Sequence, residues 1–458
     1  MNKIFEISAD GATPIHLVPE ERSVDIVGRL SKTAAAYANS VKFSGESGEV
    51  ILAPGPSGKI ATILLGTGDG ADPFICGRLS TALPNGIYQV VEFGGMDPNL
   101  ATLAIGLGCY RYDRYRKPDE KIRRPRFVWP KECDRQEVER ILKGVFLARD
   151  LINTPAAQMG PQDLADAGRS LAKEFGAKIV VTEGEHLLVK NLPMIHAVGR
   201  ASSRPPCLID LTWGDPSAPK VTLVGKGVCF DTGGLNLKRE NMMRLMKKDM
   251  GGGANVLGLA SIIMARELNL RLRVLVPAVE NSVAGEAYRP GDVLTSRKGL
   301  TIEIGDTDAE GRLILADALA LGDEEAPDIM IDMATLTGGA RVALGPDLPS
   351  FFCDDDEFTN QVLQAGSRVA DPIWRMPLWK PYAESTKSYI ADLDNTAPPG
   401  TAGSVIAALI LQKFVGAAKV WAHIDFYAWN ATNRPSRPIG GEAYVIRALY
   451  EVLKARYS

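Results

Sequence analysis

Two short stretches of the chain are dense in residues able to do chemistry. The first runs Val224-Gly-Lys-Gly-Val-Cys-Phe-Asp-Thr-Gly-Gly-Leu-Asn-Leu-Lys238 and continues to Leu245-Met-Lys-Lys-Asp-Met-Gly-Gly-Gly253. The second is Gly305-Asp-Thr-Asp-Ala-Glu-Gly-Arg-Leu313. Asp306, Asp308 and Glu310 alternate there, and an extended backbone would aim Asp308 and Glu310 the same way. Gathering them with Asp231 and Asp249 is strongly repulsive, because like carboxylates at ~4 Å oppose each other by several kcal/mol at moderate dielectric. Two divalent ions about 3.5–4 Å apart, with carboxylates bridging them, would resolve the conflict. Taken singly, each acid reads as a helix N-cap or a solvated loop charge. Taken together, with flanking glycines and basic residues, they favour a dinuclear centre.

The basic residues suit such a centre. Lys226 sits between two glycines close to Asp231, and beside two dications its amine would lose its proton and become a ligand. Lys238 would stay charged and stabilise an oxyanion. Arg312 offers a planar fork for a carboxylate-like anion near a helix N-terminus. Alone, Lys238 and Arg312 would read as surface salt bridges. Nucleotide chemistry fits poorly, since Phe230 stands where GxGxxG needs its third glycine and no Walker pattern occurs. The chain has only 4 histidines, none in HExxH or H-x-H spacing, and no GxSxG elbow, so carboxylates must do most of any metal binding.

The positioning elements follow from apolar periodicity. Strands are expected at 178–182, 221–225, 271–278, 301–304, 328–333 and 419–425, and helices at 252–267, 312–321 and 404–415. Such alternation predicts an α/β fold with a mainly parallel sheet flanked by helices and ligands at the carboxyl ends of strands. Each of the two stretches begins where an apolar strand ends, so both loops should meet on one edge of that sheet. Short apolar runs at 50–53, 60–65 and 86–91, separated by Gly- and Pro-rich loops, predict a smaller α/β domain over 1–132. A helical pattern from Asp134 to Leu151 marks a linker region, 133–164, leaving 165–458 as the larger C-terminal catalytic domain.

Composition bounds the partners. The 458 residues carry 52 Lys+Arg against 55 Asp+Glu, a balance that predicts neither nucleic-acid nor membrane-surface affinity. One segment, 111–126, is basic and carries Tyr112 and Tyr115, and it reads as a solvated surface. The 6 cysteines form no CxxC pair, the N-terminus shows no secretory h-region, and no apolar run reaches the ~18 residues of a membrane span. A reduced, cytoplasmic setting is expected.

The two stretches together resemble the leucyl aminopeptidase family, the M17 cytosol aminopeptidases. Residues 305–313 are similar to its NTDAEGRL signature, with the VGKG, FD-T-GG, LNLK and KDM blocks at the family's intervals before it. Similarity continues at Ala334–Gly338, Pro399–Gly403 and Trp421–Asp425, and more weakly at Tyr110–Asp113 and Asn153–Pro155. The resemblance implies two divalent metals per subunit, Mn²⁺ or Zn²⁺. Asp231 and Glu310 would bridge them, Asp308 would complete the exchangeable site by side chain and backbone carbonyl, and Lys226 and Asp249 the tight one. It makes Lys238 and Arg312 the catalytic pair, Arg312 anchoring a bicarbonate as general base, and puts Met246, Thr335 and Gly338 around the first side chain. The implied activity is hydrolysis of the N-terminal bond of peptides with a free N-terminus and leucine-like uncharged first residues, by a homohexamer with its sites facing an interior cavity. One departure stands out: the family usually has Asn where this chain has Asp306. Two competing readings keep other chemistry open, a non-catalytic or nucleic-acid-binding scaffold using 111–126 and a two-metal phosphoesterase.

Overall fold

The computed structural model describes residues 4–117, 124–396 and 400–458. The chain divides into two compact units, 1–142 with 431–439, and 143–430 with 440–458. The helix expected at 134–151 is Arg135–Asn153, and the division falls inside it.

The first unit is built on six strands: β1 (Phe5–Glu6), β2 (Thr13–Pro19), β3 (Val50–Pro54), β4 (Ile60–Gly68), β5 (Ile87–Glu92) and β6 (Arg126–Val128). Their order is β1-β6-β5-β2-β4-β3, and only β3–β4 pairs antiparallel. The basic segment is partly neutralised here, since Arg124 pairs with Asp113 at 2.7 Å and Arg126 with Glu6 at 2.5 Å. Residues 118–123 of that segment lie outside the described residues, as does Pro399 of the Pro399–Gly403 block.

The second unit holds β7 (Lys178–Glu183), β8 (Cys207–Trp213), β9 (Lys220–Gly225), β10 (Gly227–Asp231), β11 (Arg271–Asn281), β12 (Val293–Thr295), β13 (Thr301–Glu303), β14 (Ile329–Ala334), β15 (Ser350–Cys353), β16 (Trp374–Arg375), β17 (Leu393–Asp394) and β18 (Val420–Asp425). Its main sheet runs β16-β15-β18-β14-β9-β11-β8-β7, with β10 also on β11. The centre, β18-β14-β9-β11, is parallel, and antiparallel pairs flank it. Strands β9, β11 and β14 read as nearly unbroken apolar runs because both their faces are covered. The helix Gly251–Arg266 is buried from Gly251 to Met264, and the helix Glu310–Asp323 from Glu310 to Asp323 except at Arg312 and Leu321.

Glycines set how closely the first of these helices meets the sheet. A Cβ on Gly252 would lie 2.0 Å from the Met333 carbonyl oxygen and 2.7 Å from the Lys226 nitrogen. That approach lets the Lys226 N–H donate to Met333 at 3.0 Å and the Gly253 N–H donate to Lys226 at 2.7 Å. Gly252→Ala is therefore expected to destabilise the fold by at least about 2 kcal/mol, read by denaturant unfolding. Gly338→Ala, with nothing within 4 Å of the added methyl, should leave the midpoint unchanged.

Candidate metal centre and its surroundings

Backbone junctions place each charged group. Lys226 links β9 to β10, Asp231 ends β10, and Asp249 follows the 3₁₀ turn Met246–Lys248 just before the glycine-rich helix start. Asp308 lies in the 3₁₀ turn Thr307–Ala309, and Glu310 opens the next helix. The expected extended backbone over 306–310 is thus replaced by a turn. Its cause is local: the Asp306 carboxylate accepts the Asp308 N–H at 2.8 Å and closes the chain. The two stretches also leave different sheets. The second follows β13, which belongs to a separate three-stranded sheet, β12-β13-β17, not to the main one.

The acids converge nonetheless. Asp231, Asp308 and Glu310 each offer an oxygen, and these three oxygens lie within 4.8 Å of one another. Lys226 Nζ lies 2.8 Å from both Asp249 Oδ2 and Glu310 Oε1, while Lys238 Nζ lies 2.8 Å from Asp231 Oδ2 and also contacts Asp308 Oδ1. Burial alone would lower the Lys226 pKa, but Asp249, Glu310 and Asp231 outweigh it and hold the amine well above its ordinary value. Lys238 is raised likewise, burial being overcome by Asp231 and its acidic neighbours. Burial, then repulsion from Asp231, pushes the Asp308 carboxyl up to about 7 and raises Glu310 too.

The donor set fits divalent cations. Asp249 Oδ2 and both Glu310 oxygens are buried; Lys226 Nζ faces the first and Glu310 Oε1 at 2.8 Å, while Glu310 Oε2 has no hydrogen-bond partner. A buried carboxylate oxygen with no donor is strongly disfavoured unless positive charge sits against it. Hard carboxylate oxygens with an amine suit Mn²⁺ or Zn²⁺. Met246, Thr335, Gly338 and Arg312 line the same cavity, of about 1160 Å³.

Comparison with known proteins identifies the family. Residues 146–450 match the model of the cytosol aminopeptidase family, catalytic domain, and 13–126 that of the M17 aminopeptidase N-terminal domain. The chain belongs to the cytosol aminopeptidase family. A probable cytosol aminopeptidase 1 of Shewanella oneidensis is 37% identical over 431 residues, covering 89% of this chain and 86% of that protein. A crystal structure of the Coxiella burnetii cytosol aminopeptidase superposes with a TM-score of 0.95 at 44% identity, covering 100% of both chains. The bottromycin maturation enzyme BotP, solved in complex with Mn, gives 0.87 at 32% identity over 98% of this chain and 100% of that one. The protein is thus an aminopeptidase of a metal-dependent hydrolase family, with the two-domain α/β architecture expected.

Several neighbours hold the charged groups in place, and of these the sequence singles out Thr335 alone, as a lining residue. Asn281, fully buried at the end of β11, donates to Asp231 Oδ1 at 2.9 Å and to the Thr307 carbonyl at 3.0 Å. Tyr288 donates to that carbonyl at 2.7 Å. Thr335 does more than line the cavity: its hydroxyl donates to Asp249 Oδ1 at 2.7 Å, and its carbonyl accepts from Lys226 at 3.0 Å. Asn395 accepts the Gly305 N–H at 2.9 Å and donates to the Asp306 carbonyl at 2.8 Å, and its own carbonyl accepts from Arg312 Nη1. A polar residue ending an apolar strand was a readable signal for Asn281; Asn395 carries none. Asp306 spends an oxygen on the turn.

No helix of the described residues is long and apolar enough to cross a membrane.

Proposed function

We propose that this aminopeptidase works with two divalent cations, Mn²⁺ or Zn²⁺, held by Lys226, Asp231, Asp249, Asp308 and Glu310, and removes the first residue of peptides with a free N-terminus. The observation that carries the reading is the convergence of Asp231, Asp308 and Glu310 oxygens within 4.8 Å of one another, with Glu310 Oε2 buried and without a hydrogen-bond partner. Bound cations would supply an acidified water and a seat for the free α-amine. Lys238, charged and only 10% exposed, offers its ammonium to the oxyanion of the attacked carbonyl. Arg312, steadied by Asn395, presents its remaining N–H groups to an anion, and a bicarbonate held there would accept a proton. Met246, Thr335 and Gly338 meet an uncharged first side chain of leucine size. A homohexamer in the cytoplasm is part of the same proposal, on family resemblance.

The test is release of p-nitroaniline from leucine p-nitroanilide beside its N-acetyl derivative, in protein reloaded with Mn²⁺. Turnover of the free amine with none of the blocked compound is expected. Equal turnover of both would refute an amine-directed exopeptidase.

Proton release should accompany loading. Asp308 and Glu310 hold protons above the ordinary carboxylate range, and Lys226 holds its own, yet ligands must be deprotonated. Apparent Mn²⁺ affinity should therefore fall as pH drops from 8 to 6. Calorimetric titration at pH 7 in two buffers of different ionisation enthalpy should show protons leaving the protein. Affinity flat over that range would contradict the assignment.

A further inference from the structure

The cavity has a second charged wall. Lys248 is 4% exposed and lines it. Its ammonium lies 4.4 Å from the centroid of the Tyr427 ring. Arg341, three residues past Gly338 on the helix Gly338–Leu344, places its guanidinium carbon 5.0 Å from the same centroid. Five lysines and arginines are buried among the described residues, and four of them (Arg149, Lys226, Arg273 and Arg447) are ion-paired. Lys248 is the exception, with no carboxylate oxygen within 4.0 Å. A buried ammonium without a counter-ion is strongly disfavoured, and an aromatic face offsets only part of that.

The neighbouring acids are committed elsewhere. Asp249 is taken up by Lys226 and Thr335. Asp425 accepts from the Leu336 and Thr337 N–H groups and from the Thr337 hydroxyl. Two basic side chains thus share one ring at the wall of the cavity that Met246, Thr335 and Gly338 line, and a ligand's anionic group there would be their counter-ion. A peptide whose amine sits at the carboxylate cluster would send its first side chain along those three residues towards that wall.

We infer that this recess also accepts acidic first residues, and that Lys248 and Arg341 select an aspartyl or glutamyl N-terminus over a lysyl one. The inference rests on the aminopeptidase reading above. A lysyl side chain would meet like charge, whereas a side-chain carboxylate would give Lys248 its counter-ion. The carboxylate could instead be the C-terminus of a dipeptide, and anilide substrates, which have none, separate the two sources.

The experiment compares kcat/KM for glutamyl, leucyl and lysyl p-nitroanilides in Mn²⁺-loaded protein and in Lys248→Met, Arg341→Gln and Arg341→Glu. In the unmodified protein glutamyl should exceed lysyl at least about tenfold. Lys248→Met should lower the glutamyl/leucyl ratio about 30-fold, and exposed, solvent-screened Arg341→Gln about threefold. Arg341→Glu should raise the lysyl/glutamyl ratio. Arg341 is exposed, so its variants keep the test alive if Lys248→Met misfolds. Lysyl turnover equal to glutamyl in the unmodified protein would overturn the inference. So would unchanged glutamyl/leucyl ratios in folded variants that weaken Leu-Gly relative to Leu-Gly amide, the mark of a C-terminal carboxylate. Absence of turnover on every anilide, leucyl included, would strike the aminopeptidase reading instead.

Discussion

Glu310→Gln is expected to lower kcat/KM for leucine p-nitroanilide by at least about 10³-fold at saturating Mn²⁺. Glutamine keeps the shape of the side chain, so the first turn of the helix Glu310–Asp323 and the packing behind it should survive. What is lost is a buried carboxylate lying among Asp231, Asp308 and Lys226, with Oε1 against the Lys226 ammonium at 2.8 Å and Oε2 without a hydrogen-bond donor. An amide there brings an N–H₂ where a negative oxygen is needed and leaves Asp249 as the carboxylate paired with Lys226. Metal content should fall with activity, and the thermal midpoint should show that the fold persists. Wild-type turnover in this variant would remove Glu310 from the centre.

Lys238→Met should act differently. Its ammonium is poised against Asp231 and Asp308, and the aliphatic replacement fills the same slot without the charge. Loss of one transition-state donor of this kind lowers kcat about 10²- to 10³-fold. KM should move by no more than about threefold and metal content should hold, because the donor acts on charge that develops only during attack. If Lys238 only neutralised the neighbouring acids, the variant would change metal affinity and leave kcat of the loaded enzyme near its original value. Steady-state kinetics with metal analysis on one preparation separate the two.

The charged residues were legible in the sequence because acids at such density make sense only with cations to balance them, and the strands because doubly covered strands are apolar runs. Alternation at 306–310 misled, since a period-two pattern assumes extended backbone and the Asp306 side chain closes a turn instead. The supporting polar contacts were not legible. Asn281 lies 50 residues from Asp231, and Thr335 lies 86 from Asp249, so no local pattern links them. The same holds for Lys248, a residue inside a recognisable block whose meaning depends on Tyr427 and Arg341, both distant in the chain. The grouping of 431–439 with residues 1–142 likewise leaves no mark in composition.

The central claim, a cluster of carboxylates and one lysine that holds two catalytic cations, is tested most directly by counting metal against activity. Chelated protein would be titrated with Mn²⁺ while bound metal per chain and leucine p-nitroanilide turnover are followed together. Two ions per chain, with activity absent in the stripped protein and complete as the second site fills, is the predicted result. Full turnover from protein holding less than about a tenth of an ion per chain would contradict it.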